Sequence, residues 1–441
     1  MSTKKFAGRG LFLVMLVLPS LAFASGDADA HADPVARVVL FLAVILASAK
    51  LGGDLATRLG QPAVLGELIV GVLLGNLGPL GLHVFEPIKT DVSIDMLSRL
   101  GVLLLLFEVG LESTVAQMLK VGLKSFVVAM LGVVAPFALG WLFGFLLLPN
   151  AGPYVHAFLG ATLTATSVGI TARVLKDLNE SQSAEARIIL GAAVIDDVLG
   201  LVILAVVTGT IGAADHGSAM SYGQIGLIFL KASAFLVISL LLGVKFSRRM
   251  FNVASRLRAR GVLLALGLAF CFLLSWIASV IGLAPIVGAF AAGLVLEEVH
   301  FADFVTRGES PLEELVHPIS SFLVPVFFVL MGLRTDLAAF TKPGVPLLAL
   351  ALTAAAIVGK QACALGTGKG VDRLSVGIGM VPRGEVGLIF ANIGMTLTIG
   401  GKPIVDNAVF SAIVAMVIVT TMITPPALKW SLQRRRVREA H

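Results

Sequence analysis

Charge is what this chain has least of. Asp, Glu, Lys and Arg supply only 14% of its 441 residues and hydrophobic types 57%, where a soluble domain carries about a quarter charged. That shortage excludes a soluble globular fold and points to an all-α, polytopic membrane protein. Cysteine is nearly absent too. Cys271 and Cys363 both sit in apolar runs, so neither a disulfide nor a thiolate metal centre follows from them. The net charge of +6 is no sign of a nucleic-acid partner, because the basic residues collect between apolar runs as the positive-inside rule requires.

Against that apolar background two acids stand side by side, Asp196 and Asp197, in Gly191-Ala-Ala-Val-Ile-Asp-Asp-Val-Leu-Gly-Leu-Val-Ile-Leu-Ala-Val-Val207. The surrounding run is long enough to cross a bilayer at roughly 20 residues per span. An ionised carboxylate at bilayer depth costs on the order of 2.5–3.5 kcal/mol on insertion scales, and two neighbours also repel. A chain that keeps both binds something positive there: a metal cation, a proton, or each in turn. Adjacent helical residues point about 100° apart, so the two aspartates have different jobs. One faces a cavity and the other a neighbouring helix.

At the N-terminus Lys4, Lys5 and Arg9 precede the apolar segment 11–21, which ends in Ala22-Phe23-Ala24. This describes a secretory signal peptide over residues 1–24, or else an uncleaved first helix, and either leaves the segment after Ser25 outside. A membrane domain is expected over 25–430 and a basic cytoplasmic tail over 431–441. Apolar stretches fall near 36–51, 63–82, 97–111, 124–148, 154–173, 186–210, 222–244, 261–283, 285–298, 319–333, 345–366, 374–397 and 407–425, about thirteen spans. An odd count from an outside start puts the C-terminus inside. The charges agree: Lys245, Arg248, Arg249, Arg256, Arg258 and Arg260 crowd one inner loop, while the outer loops hold only Lys89, Arg334, Lys342 and Lys402, with Arg99 near a boundary.

The chain repeats itself. Ala63-Val-Leu-Gly-Glu-Leu-Ile-Val-Gly-Val-Leu-Leu74 aligns with Pro285-Ile-Val-Gly-Ala-Phe-Ala-Ala-Gly-Leu-Val-Leu296, and the same offset carries Phe107-Glu-Val-Gly-Leu111 onto Val329-Leu-Met-Gly-Leu333. An odd number of spans separates the copies, so the repeats, about 36–210 and 261–425 around a linker helix 222–244, are inverted. Inverted repeats mark secondary transporters, whose sites lie near the midplane at interrupted helices. Two such interruptions are expected. Thr162-Leu-Thr-Ala-Thr-Ser-Val-Gly-Ile-Thr171 is small and hydroxyl-rich in mid-span, and Gly377-Ile-Gly-Met-Val-Pro-Arg-Gly-Glu-Val-Gly387 combines a missing N–H at Pro382 with permissive glycines.

Few other polar groups lie within spans. Lys360 and Arg383 are basic residues well inside apolar stretches, and a buried lysine needs a partner unless it snorkels to the inner surface. Arg383 and Glu385 sit at the expected break, where they neutralise each other or the exposed half-helix ends; Glu385 could equally face a cation cavity. Glu67, Glu108 and Glu112 read as funnel or helix-end acids. His156, His216, His300 and His317 fall near span ends. Adjacent aspartates argue against an intramembrane aspartyl protease, whose two acids must meet from different helices. Channels and symporters on a similar scaffold remain as competitors.

The Asp-Asp pair, the Thr-Ala-Thr-Ser-Val-Gly-Ile-Thr stretch and Pro-Arg-Gly-Glu-Val-Gly together resemble the bacterial sodium/proton antiporters of the cation/proton antiporter superfamily, on its thirteen-span, Kef-related branch, over about residues 36–427. The resemblance implies a dimer in the inner membrane, with two crossed broken helices in a moving core and no cofactor. It also implies that Asp197 binds cation or proton, that Asp196 pairs with Lys360, and that Thr164, Thr166 and Ser167 line the unwound segment. Kef-type potassium systems commonly replace the first acid and append a nucleotide-binding domain. This chain keeps both acids and ends at His441, which favours Na⁺ or Li⁺ exchange over K⁺.

Overall fold

The computed structural model describes residues 34–78, 82–112, 122–167, 183–215, 261–296, 310–368 and 370–439, with short pieces between 171 and 180 and scattered residues between 223 and 259. The expected signal peptide lies outside the described residues, as do His216 and His300; the side chains of Glu112 and Glu385 do too. Helix dominates, because a spanning segment must satisfy its own backbone groups where no water can. Seven described helices are long and apolar enough to cross a membrane, and three shorter apolar helices accompany them. Of the expected linker helix 222–244, about half the residues are described, and those are helical.

The chain divides into two compact units, Met1–Gly101 with Ser321–Leu337, and Val102–Ser320 with Ala338–His441. In the first, α1 (Pro34–Arg58) folds back on α2 (Ala63–Gly75). They meet at glycines: a Cβ at Gly52 or Gly66 would overlap the other's carbonyl. This unit also holds the start of α3 (Val92–Glu112) and the end of α9 (Leu312–Leu333). The sequence carries the second stretch to 82, but α2 stops at Gly75 because Asn76 takes over its end. The Asn76 amide donates to Val72 O and Thr335 O at 2.8 Å each and accepts the Leu337 N–H at 2.9 Å.

The second unit contains the rest of α3, then α4 (Leu123–Leu147), α5 (Pro153–Thr162), α6 (Ala184–Asp215), α7 (Val262–Val280), α8 (Pro285–Val295) and the start of α9. After these come α10 (Val345–Gln361), α11 (Arg373–Gly379), α12 (Glu385–Thr396), the hairpin β1 (Thr398–Ile399) and β2 (Lys402–Pro403), and α13 (Asn407–Glu439). Gly400 and Gly401 turn the hairpin with φ of 58° and 78°, the left-handed pair that a two-residue loop demands. The Gly400 N–H reaches Asp215 Oδ1 at 2.9 Å, which ties the hairpin to the end of α6.

The repeat appears in which backbones touch. In the first unit Gly71 packs against Val329 and Gly332; in the second Gly293 packs against Phe107 and Gly110. Gly66 meets Gly52 as Gly288 meets Leu274. Each pair maps onto its counterpart by the sequence offset that relates Gly71 to Gly293.

Two boundaries differ from expectation at the C-terminal end. The tenth stretch begins at Leu312, earlier than 319. The last runs through Pro425 and Pro426 to Glu439 instead of stopping at 425. Proline removes a helical hydrogen bond, but the turns beyond are held by packing: Leu428 and Leu432 bury against Leu175 and Ala186. Ser431 Oγ donates to Asp372 Oδ2 at 3.2 Å.

Candidate functional site

Everything at this site lies in the second unit. The expected break in the fifth stretch is present: α5 ends at Thr162, and residues 165–167 are neither helix nor strand. Its counterpart breaks at 381–384, between α11 and α12. The two interruptions bond to each other. The Ser167 N–H donates to Pro382 O at 2.9 Å, Thr166 Oγ1 to Met380 O at 3.3 Å and Thr171 Oγ1 to Gly379 O at 2.7 Å. Carbonyls freed by the lost helical turns thereby find donors from the opposite break, as buried backbone must.

Asp196 and Lys360 are both completely buried, and the Lys360 ammonium lies 3.1 Å from each carboxylate oxygen. The snorkelling alternative for Lys360 is thus overturned: its stem runs inward to a partner on α6. Room for the ammonium comes from α4, where a Cβ at Gly132 would sit 3.2 Å from Nζ. Asp197, next along α6, is half-buried. The two acids thus differ in surroundings, Asp196 paired with a residue of a neighbouring helix and Asp197 only half-buried.

Thr164 approaches the same helix. A Cβ built on Gly200, one turn beyond the aspartates, would lie 3.8 Å from Thr164 Oγ1 and 3.7 Å from Ala165 Cβ. Thr164 Oγ1 gives its proton to Ala161 O at 2.7 Å, which leaves its lone pairs available. Among the described residues no group of three or more His, Cys, Asp or Glu could hold a metal ion. A cation at the aspartates would therefore complete its shell with hydroxyls, carbonyls or water. Two turns along α6, a cavity of about 350 Å³ is lined by Val133, Val134, Phe137, Ala138, Ile203, Val206 and Val207, all apolar and unsuited to an ion.

Arg383 is also fully buried. Its Nη1 donates to the carbonyls of Thr164, at 3.4 Å, and Ala165. It therefore holds the unwound segment that follows α5. Its own backbone is held by α13, with Thr421 Oγ1 donating to Arg383 O at 2.7 Å and the Arg383 N–H to Thr420 Oγ1 at 3.3 Å. Sequence reasoning passed over Thr420 and Thr421, whose only signal is two adjacent hydroxyls in an apolar span.

The remaining polar candidates lie elsewhere. His156 is packed edge-on against Trp141 and Phe145, with Nε2 2.8 Å from Leu148 O, a structural role. Glu108 accepts from Ser320 Oγ at 2.6 Å and lies 3.5 Å from His317 Nδ1. Glu67 is buried on α2, in the first unit. Among the described residues neither His156 nor Glu108 bonds to the Asp196–Lys360 pair.

The family described as sodium/hydrogen exchanger, transmembrane, matches residues 40–434. The chain belongs to that family. This exchanger is 38% identical to the high-affinity Na⁺/H⁺ antiporter NhaS3 of Synechocystis sp., over 92% of each chain. It is 36% identical to the Na⁺/H⁺-K⁺ antiporter GerN of Bacillus cereus, over 88% of this chain and 95% of that one. Its fold is similar to the sodium proton antiporter MjNhaP1 from Methanocaldococcus jannaschii at pH 8, with a TM-score of 0.65 and 16% identity over 89% and 95% of the two chains. The exchanger is thus a multi-pass membrane protein of the cation/proton antiport class, with the interrupted inverted-repeat fold its sequence predicts.

Proposed function

We propose that the exchanger moves Na⁺ or Li⁺ against protons by competition at Asp196 and Asp197, with alternating access and net charge transfer. The observation that carries this reading is the buried Asp196–Lys360 pair beside a half-buried Asp197, level with two bonded helix breaks. Asp197 takes protons when open to the outside; when open to the inside it releases them and takes the cation. Oxygen ligands suit hard cations. As the cation engages Asp196, the Lys360 ammonium would become a lone charge in an apolar interior, which is strongly unfavourable. Releasing that second proton removes the conflict and makes the exchange electrogenic.

Thr164, Thr166 and Ser167 line the cation's path, and Arg383 holds the break in shape. The chain works as a homodimer in the inner membrane, with its C-terminus in the cytoplasm. A K⁺/H⁺ reading stays in view because GerN's name includes K⁺.

The test uses everted membrane vesicles with an acidified lumen and a fluorescent ΔpH probe. Adding Na⁺ or Li⁺ to wild type should dequench the probe, and Asp197→Asn should abolish the response. Dequenching by K⁺ alone would move the exchanger to potassium. Silence with every cation across a range of pH would sink the reading.

A further inference from the structure

Helix breaks in transporters usually serve ions through the carbonyls they expose. In this exchanger most of those carbonyls already have donors. Gly379 O, Met380 O and Pro382 O receive Thr171, Thr166 and the Ser167 N–H. Thr164 O and Ala165 O, in the segment whose Thr164 Oγ1 and Ala165 Cβ lie against the aspartate-bearing α6, receive Nη1 of Arg383. The Arg383 Nε and Nη2 have no hydrogen-bond partner among the described residues. Those two carbonyls are therefore the only groups its side chain bonds there, and the Asp196 carboxylate attracts its charge without bonding it. A full positive charge has been placed on two neutral oxygens beside the site when a hydroxyl or amide would have satisfied them.

We propose that Arg383 is a specificity-determining residue: by placing its positive charge on the Thr164 and Ala165 carbonyls it makes them poor ligands and so withholds them from the transported cation. This rests on the reading of Asp196 and Asp197 as the site. With those oxygens withheld, the ion meets two carboxylates, the lone pairs of Thr164 Oγ1 and Thr166 Oγ1, and water. A shell of few, strongly charged ligands favours a small ion, whereas a shell with many neutral carbonyls favours K⁺. Arg383 thus biases the exchanger towards Li⁺ and Na⁺ and against K⁺, without touching the ion.

Two variants test this, Arg383→Gln and Arg383→Lys, each compared with wild type for the apparent KM of Li⁺, Na⁺ and K⁺ in everted vesicles. Arg383→Gln releases both carbonyls, and its preference for Na⁺ over K⁺ should fall by about tenfold, as a change in ligand number predicts. Arg383→Lys lacks the planar fork of the guanidinium and should release one carbonyl, so its preference should lie between the other two. Variants that exchange with the wild-type Li⁺, Na⁺ and K⁺ ratios would overturn the proposal, since a merely structural arginine changes the amount of active protein but not the ratio.

Cation-induced shifts in melting temperature of the purified proteins give the same ranking without turnover. If Arg383→Gln yields no folded protein, Arg383→Lys decides alone, and a wild-type ratio there overturns the proposal. Failure of the underlying reading looks different: wild type itself would then exchange no cation.

Discussion

At the scale of single residues the energetics centre on Asp196 and Lys360. Two full charges without solvent contact, joined through both carboxylate oxygens, gain strength from the low-dielectric interior but have each given up hydration. Such a pair contributes little net stability, yet removing one partner costs about 3–5 kcal/mol because the other is left uncompensated. Lys360→Met should therefore lower the melting temperature of the purified protein sharply. Adding Asp196→Asn to that variant should recover most of the loss. Lys360→Met vesicles that still exchange should no longer respond to an imposed membrane potential, since the second proton has lost its carrier. A single variant as stable as wild type would mean the pair is not formed.

Sequence alone made both ends of this pair visible, because a lone lysine and a double acid in apolar runs each demand a partner. It left open which aspartate Lys360 would meet on any geometric ground, and only the family resemblance chose Asp196. The contribution of Gly132, which leaves space for the ammonium, was not legible. A glycine in a membrane helix has too many reasons to be there.

At the scale of elements, close helix approach is set by paired glycines, and the structure separates those that matter from those that do not. A Cβ at Gly293 would overlap the Phe107 carbonyl and crowd Leu111, whereas one at Gly212, inside α6, would meet nothing within 4 Å. Gly293→Ala should thus destabilise by about 1–3 kcal/mol through overpacking. Gly212→Ala should be neutral or stabilise by up to about 1 kcal/mol, since alanine is the better helix former. Thermal unfolding in detergent distinguishes the two, and equal shifts would refute the packing argument.

The helix breaks were legible as composition, from hydroxyls in one stretch and Pro with Gly in the other. Their mutual bonding was not, because it depends on which carbonyls each break frees. The continuation of α13 past Pro425 was also hidden. Proline reads as a stop unless the burial of Leu428 and Leu432 beyond it is known.

At the scale of the whole molecule, orientation follows from the distribution of charge. Basic residues near span ends set topology because they resist translocation, and here they cluster heavily on one set of loops. The tail alone carries Lys429, Arg434, Arg435, Arg436 and Arg438, against Lys402 on the β1–β2 hairpin at the other end of α13. The helix that joins these two points includes the apolar span Asn407–Arg434, so its ends must face opposite sides. Labelling reads this directly. Both native cysteines are buried and contribute little background, while Lys402 and Lys429 are exposed. Lys402→Cys should react with a membrane-impermeant maleimide added to intact cells or spheroplasts, and Lys429→Cys only in everted vesicles. The reverse pattern would invert the exchanger in the membrane, and with it the direction in which Asp197 loads protons. Labelling of both residues from one side would mean that α13 does not span at all, against both its length and its apolar run.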